Sequence, residues 1–241
     1  MLHVVMCGRY SLATSEFSQI QLEFSVEELQ AGAAFTPRYN IAPTWSPGHE
    51  PPIVLVNTSG QRELDLARWW MIPAYWKRPL KLLPTAFNAR AEELSTKRFW
   101  SKSFEARRCL VPVTGWREFT GPSGQRQPHH FHYDHALFGF AGVWDEWLSP
   151  EGDPVRSFAI VTVAANDVVT QIHDRMPLRV EPAAYETWLD PNVTGEQALA
   201  AVREASAPPL SHYETDPAGN DVRREGPEVI AQLGRKQLDL F

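Results

Sequence analysis

What most constrains this chain is where its short β-forming runs fall. Runs rich in β-branched and aromatic residues stand at Ile53–Val56, Leu66–Met71, Cys109–Val113, His130–His132, Leu137–Val143 and Phe158–Ala164. Helical spacing is confined to Ser15–Leu29, Glu92–Phe104, Asp167–Ile172, Ala183–Leu189 and Glu196–Ser206. Strands that bunch unevenly cannot supply the regular strand–helix alternation of a parallel, doubly wound sheet. The pattern predicts an α+β fold with a curved, mainly antiparallel sheet or barrel-like core flanked by helices. At 241 residues one core suffices and no second domain is required. Within the Ser15–Leu29 segment, the Ser25 to Glu28 spacing reads as a capping box that opens a short second turn. The proline-rich stretch Thr36–Pro52 reads as a loop. From Pro208 onward the sequence is polar and turn-rich, so residues 211–241 are expected to form a poorly packed tail.

Composition excludes several functions. A net charge of −6 argues against coating nucleic acid by bulk electrostatics, so any DNA contact must use a local patch. No apolar run approaches the roughly 20 residues that span a bilayer, and MLHVV lacks the charged start of a secretory signal, so a cytoplasmic protein is expected. Cys7 and Cys109 are far apart and read as two thiols in a reducing compartment. Cys109 opens the apolar run CLVPV and is expected to act as a small hydrophobe with no catalytic role.

There is no Walker A run and no GxGxxG opening a helix, which removes two large nucleotide-dependent classes. HHFHYDH, residues 129–135, places His130 and His132 on one strand face, but no carboxylate or thiol set completes a zinc site. It reads as an exposed strand near a hairpin turn, without metal. Four other segments join reactive side chains to turn chemistry: MCGRY at the start, FNAR at 87–90, GWREF at 115–119 and IHDRMP at 172–177. Singly, each polar residue there is more often a satisfied structural group than a catalyst.

Together and in this order, the four segments resemble the SOS-response-associated peptidase (SRAP) family. The resemblance extends through RYNIAPT at 38–44, ARWWMIP at 67–73, RRCLVPVTGWREF at 107–119, FAGVWDEW at 140–147 and IHDRMPLRV at 172–180. It departs at Trp70, where Gly is expected, and at Arg117, where an aromatic is common. The resemblance implies an abasic-site processing protein, monomeric by default, that acts on single-stranded DNA with neither cofactor nor metal. Removal of Met6 would make Cys7 the N-terminal residue. An N-terminal Cys offers a thiol and an α-amine on adjacent carbons, and the amine, with a pKa of roughly 7.7–8.0, keeps a neutral fraction at physiological pH. It can attack the aldehyde of a ring-opened abasic sugar as an amine and close on the same carbon as a thiol, giving a thiazolidine.

The resemblance also implies roles for other residues. Asn88 would hold and polarise the sugar or the Cys7 backbone. Glu118, in a turn-like context, would shuttle protons, and His173 would protonate the ring oxygen. Arg9, Arg38, Arg90 and Arg175 would contact phosphates, and Trp69 would stack on a base. Their plain alternative is solvated or ion-paired arginines and a core tryptophan.

Residues 1–6 precede the catalytic domain, which is read as 7–210. While they are attached, Cys7 has an amide in place of an amine. Either translation starts at Met6, the favoured reading because MLHVV carries no structural signal, or Cys7, Glu118 and His173 remove the extension as a peptidase. Two further readings stay open: a cysteine peptidase or amidohydrolase with His173 as base and Glu118 orienting it, and a non-catalytic single-strand binder indifferent to Cys7→Ala. Strand cleavage through the same Schiff base would be a side branch of the favoured chemistry.

Overall fold

A computed structural model describes residues 8–14, 16–26, 28–29, 36–134, 136–205 and 208–234, with backbone alone at 28 and 29. The first strands are β1 (Tyr10–Leu12), β2 (Glu28–Leu29), β3 (Arg38–Ile41), β4 (Pro52–Val56), β5 (Arg62–Leu66), β6 (Arg68–Trp69) and β7 (Asn88–Arg90). They are followed by β8 (Arg108–Val113), β9 (Gly115–Thr120), β10 (Gln127–His132), β11 (Phe138–Leu148) and β12 (Pro154–Ala164). The last are β13 (Arg175–Pro177), β14 (Arg179–Val180) and β15 (Ser211–Glu214). The helices are α1 (Phe17–Phe24), α2 (Arg98–Ala106), α3 (Tyr185–Leu189) and α4 (Gly195–Glu204).

The strands form two sheets. The smaller runs β15-β10-β9-β1-β3, and the larger runs β13-β12-β11-β8-β4-β5-β2, with β14 on β11 and with β6 and β7 on β12. Pairing is antiparallel except where β6 and β7 meet β12 and β2 meets β5. Aromatic side chains join the two sheets into one core: Trp116 of β9 meets Phe140 of β11 edge-on at 5.5 Å, and Tyr10 of β1 meets Trp69 of β6 at 4.9 Å. The chain has the expected α+β architecture. Helices α2 and α3 lie against β8 and β11, where Arg108, almost wholly buried, donates to the carbonyls of Phe104 and Glu105 at the end of α2 and of Trp188 in the last turn of α3. A cation at helix C-termini meets carbonyls that have no partner within their helix.

Local chemistry shifts several boundaries. Ser25 ends α1 in place of opening a new turn: it takes the left-handed conformation (φ 50°) and its N–H closes on the Gln21 carbonyl. Ser15 lies outside the described residues. The predicted Thr36–Pro52 loop contains β3, held as the partner of β1. The predicted helix at Asp167–Ile172 is only a 3-10 turn at Val169–Gln171, because the Asn166 side chain accepts the Val168 and Val169 N–H groups at 3.2 and 3.0 Å and sets a turn. The predicted Glu92–Phe104 helix divides into a 3-10 turn at Ala91–Glu93 and α2. The 196–206 prediction fares better, since α4 starts at a Thr194–Gln197 capping box.

Residues 211–234 of the predicted tail are part of the fold. β15 pairs with β10 over four residues, Thr215 and Val229 are buried, and the Tyr213 hydroxyl donates to the Ile230 carbonyl at 2.8 Å. Its polar composition misleads because the bonds it makes are themselves polar. Asn40 donates through Nδ2 to the carbonyls of Gly219, Asp221 and Arg224, and Arg117 donates to the Gly219 carbonyl and to Asn40 Oδ1. Gly219 must be small here, since a Cβ on it would stand 2.9 Å from Arg117 Nη1. Being the edge-covering partner of β10, β15 also buries His129, His130 and His132, which the sequence reading had placed on an exposed strand. His135 lies outside the described residues.

Candidate functional site

Strand periodicity fixes the side of the small sheet on which each residue points. Tyr10 lies opposite Trp116, and both reach into the core. Two residues on, Glu118 shares the inward side of β9 and is only 2 % exposed. It sits in mid-strand, paired with His129 of β10, and not in the turn expected from sequence. The Arg117 N–H donates to the Arg9 carbonyl at 3.0 Å, which carries the β1–β9 register one step beyond Tyr10 toward the Glu118 end. Gly115 lets β9 and β10 close up: a Cβ there would lie 2.4 Å from the His130 ring and 2.6 Å from the Phe131 carbonyl. On the opposite side of the sheet Arg9 and Arg117 are neighbours, and burial, with Arg9 nearby, pulls Arg117 down to about 10. Cys7 lies outside the described residues.

A second group gathers where β11 and β12 part. They pair from Gly142–Leu148 against Pro154–Ile160 and then splay, and the segment 175–180 fills the fork. Its Leu178 N–H donates to the Val161 carbonyl and its carbonyl accepts from Ala141, each at 2.8 Å. At Thr162, β12 therefore has Arg90 of β7 on one edge and Pro177 of β13 on the other. At about 4.8 Å per strand, the outer two strands lie roughly 10 Å apart. Asn88, half-buried, and Arg90, exposed, flank one edge, while Arg175 and His173 flank the other.

Arg175 is engaged already. It makes a bidentate pair with Glu92 at 2.9 and 2.8 Å and donates to the Thr162 carbonyl at 2.7 Å, and this pairing holds the Glu92 carboxyl down at about 2. His173 is buried, and desolvation lowers its pKa, opposed by the exposed Asp174 carboxylate 3.0 Å from Nδ1. The Arg175 N–H points at the same Nδ1 at 3.1 Å. An N–H can only donate, so Nδ1 accepts and the neutral ring carries its proton on Nε2.

Trp69 joins the two groups, and its role differs from the expected one. It has no exposed face to offer a base: it is fully buried, edge-on to Tyr10 and to Phe87 (6.0 Å), stacked on Phe158 (6.5 Å), and its Nε1 donates to the Phe87 carbonyl at 2.8 Å. A base could reach this ring only after the core had opened. One indole thus locates Tyr10, three residues after Cys7, and Phe87, which precedes Asn88. Its neighbour Trp70 is half-buried, tilted on Phe87, and donates to the Pro84 carbonyl. Arg38 stands apart on β3, near Glu225 and the His49 carbonyl. Arg9 is half-buried and bonds the Gly8 carbonyl. Cys109 is wholly buried with its thiol pushed far up, as a structural cysteine should be. Among the described residues no group of three or more His, Cys, Asp or Glu is placed to hold a metal, and no helix is long and apolar enough to cross a membrane.

Sequence reasoning missed Asn40, Arg117, Glu92 and Glu225. Asn40 sits in RYNIAPT and Arg117 in GWREF, so the signal was a buried polar pair hidden inside motifs read for other residues.

Residues 6–223 match the family model described as SOS response associated peptidase (SRAP), and the chain belongs to this family. The abasic site processing protein YoqW of Bacillus subtilis is 29% identical over 228 residues, covering 93% of this chain and 99% of the relative. The abasic site processing protein YedK of Escherichia coli is 27% identical, covering 93% and 99%, and the abasic site processing protein HMCES of Gallus gallus is 26% identical, covering 83% and 67%. A crystal structure of a protein from Bacteroides thetaiotaomicron shares the fold, with a TM-score of 0.79 at 20% identity over 94% of this chain and 99% of that one.

Proposed function

We propose that this protein processes abasic sites in single-stranded DNA and captures them covalently through an N-terminal Cys7. The observation that carries the reading is Glu118: a buried carboxylate on the inward side of β9, beside the strand that starts three residues after Cys7. A buried acid on the strand beside β1 supports a role in exchanging protons with an amine and its carbinolamine.

The chemistry runs in three steps. His173 in its protonated form gives the Nε2 proton to the ring oxygen of the closed sugar as the C1–O bond breaks, and the neutral imidazole left behind takes up the C1 hydroxyl proton, so the aldehyde opens and the acid is restored. The Cys7 amine adds to that carbon, and loss of one water, with Glu118 moving the protons, leaves an imine. The thiol then adds across C=N, sulfur to carbon and proton to nitrogen, closing the thiazolidine. Asn88 orients the sugar through its amide, while exposed Arg90 and, with Arg9, Arg38 and Arg175, the flanking arginines meet phosphates. The same imine is the branch point for strand cleavage by a lyase route, and Cys7, Glu118 and His173 serve to release residues 1–6 where these are attached. The names of the abasic site processing relatives support this reading, as does family membership.

The test is a capture assay on denaturing gels with an abasic single-stranded oligonucleotide. Cys7→Ala is expected to abolish the adduct, and Glu118→Gln and His173→Gln to slow it by roughly 10²–10⁴-fold, the range of a lost acid–base group. An adduct that persists in Cys7→Ala would overturn the proposal.

A further inference from the structure

Strand β3 is the edge of the small sheet, and its pairing with β1 slips by one residue. Tyr10 faces Ile41 while Leu12 faces Arg38, so Tyr39 and Asn40 together oppose Ser11. Such a two-against-one bulge turns consecutive N–H groups to one side. Both groups here donate to a single atom, Oε2 of Glu225, at 3.0 and 3.2 Å. Arg38 Nη2 lies 3.8 Å from the other carboxylate oxygen, and the charge of Glu225 is also felt by Arg117. Two amides converging on one oxygen beside a guanidinium form an anion cradle of the kind that backbone nests make for phosphates and carboxylates.

The occupant is an intramolecular carboxylate in a solvent-open setting, its side chain 38% exposed. Glu225 is not what holds its own segment down. Asn40 does this separately, through Nδ2 to the carbonyls of Gly219, Asp221 and Arg224, and Arg117 adds a bond to Gly219. The carboxylate can therefore leave the cradle while residues 217–224 stay docked. Arg38 alone would attract any anion weakly; the paired amides supply direction, as phosphate oxygens require.

We propose that the β3 bulge is an anion site that takes a backbone phosphate of the DNA strand, and that Glu225 occupies it in the free protein. The phosphate identity rests on the single-strand reading above, while the cradle itself does not. Glu225 then competes with DNA: each bound strand must displace one carboxylate, and the fully engaged protein gains one more phosphate contact than its static arginines provide. Glu225 is the gatekeeper of this contact, and nearby Glu228, exposed on the same segment, is not.

The test uses the full chain with Glu225→Ala, and Glu228→Gln as a control for a general change of charge. Inorganic phosphate is titrated while the Tyr39 and Asn40 amide resonances are followed by NMR, and an undamaged single-stranded oligonucleotide is titrated by fluorescence anisotropy at several salt concentrations. In Glu225→Ala the two amides are expected to shift with phosphate at concentrations that leave the parent protein unmoved. Oligonucleotide affinity is expected to rise about 3- to 10-fold with the slope of log K against log salt little changed, because parent and variant make the same phosphate contacts once the carboxylate has left. Amides that stay unmoved by phosphate would overturn the anion site. Amides that move while the affinity change equals that of Glu228→Gln would overturn the phosphate role on DNA, and Cys7-dependent capture of an abasic oligonucleotide would still stand or fall by itself.

Discussion

Replacing Trp69 by Phe separates a core tryptophan from a base-stacking one. The substitution removes the Nε1 donor and leaves the Phe87 carbonyl, to which it is bonded at 2.8 Å, buried and without that partner. The Ile160 N–H still donates to that carbonyl at 2.9 Å, so one hydrogen bond is lost and no acceptor is orphaned, about 0.5–1.5 kcal/mol. The smaller ring also gives up roughly 40 Å² of buried apolar surface, about 1 kcal/mol at ~25 cal/mol/Å². The expected loss is therefore about 1.5–2.5 kcal/mol, which at roughly 2–4 °C per kcal/mol for a chain of this size is a clear fall in Tm. Guanidinium unfolding of Trp69→Phe against the parent reads the loss, and anisotropy with an undamaged single-stranded oligonucleotide reads affinity below the unfolding range. Stability should fall and affinity should stay within about twofold. A variant as stable as the parent to within about 0.5 kcal/mol, but weakened in DNA binding, would refute the packing argument and restore Trp69 as a stacking surface.

Ending the chain after residue 210 should leave Asn40 and Arg117 without the carbonyls they hold and expose the β10 edge, so cooperative thermal unfolding at the parent Tm is not expected; calorimetry that finds it unchanged would reinstate the tail as dispensable. His129 and His173 both have folded-state pKa values lowered by burial, so the unfolded chain takes up protons first as pH falls below its ordinary histidine value of about 6.5. Stability should be level above that pH and decline below it, and His173→Gln should make the decline shallower in denaturant titrations between pH 7 and 5. Glu92 acts over a lower window: its contribution is present above the ordinary carboxylate range and is lost as pH falls toward about 2, so Glu92→Gln should lower stability at pH 7 but converge with the parent in acid.

The α+β class was legible because hydrophobic runs report burial, and β4, β8 and most of β12 fall where the runs do. What escaped was set by partners distant in sequence. β3 is a strand because β1 lies beside it, and 211–214 is a strand because β10 has a free edge; neither has an apolar run of its own. The site residues Asn88, Glu118 and His173 were named from motifs, but their setting was not. Glu118 is a mid-strand residue because β10 covers it, and Arg175 reaches Glu92 only because the 175–180 segment fills the β11–β12 fork. Trp69 shows the limit most plainly: an indole in the Trp69–Trp70 pair reads the same from sequence whether it faces DNA or Phe158.

The central claim is that Cys7, as an N-terminal aminothiol, captures abasic sites. Intact-mass analysis of the expressed protein, alone and after incubation with a single-stranded oligonucleotide carrying one abasic site, tests it most directly. The account predicts a chain that begins at Cys7 and gains the mass of the oligonucleotide less one water, with no gain in Cys7→Ala. A chain that begins at Cys7 and gains nothing, or a Cys7→Ala chain that gains the same mass, would contradict it.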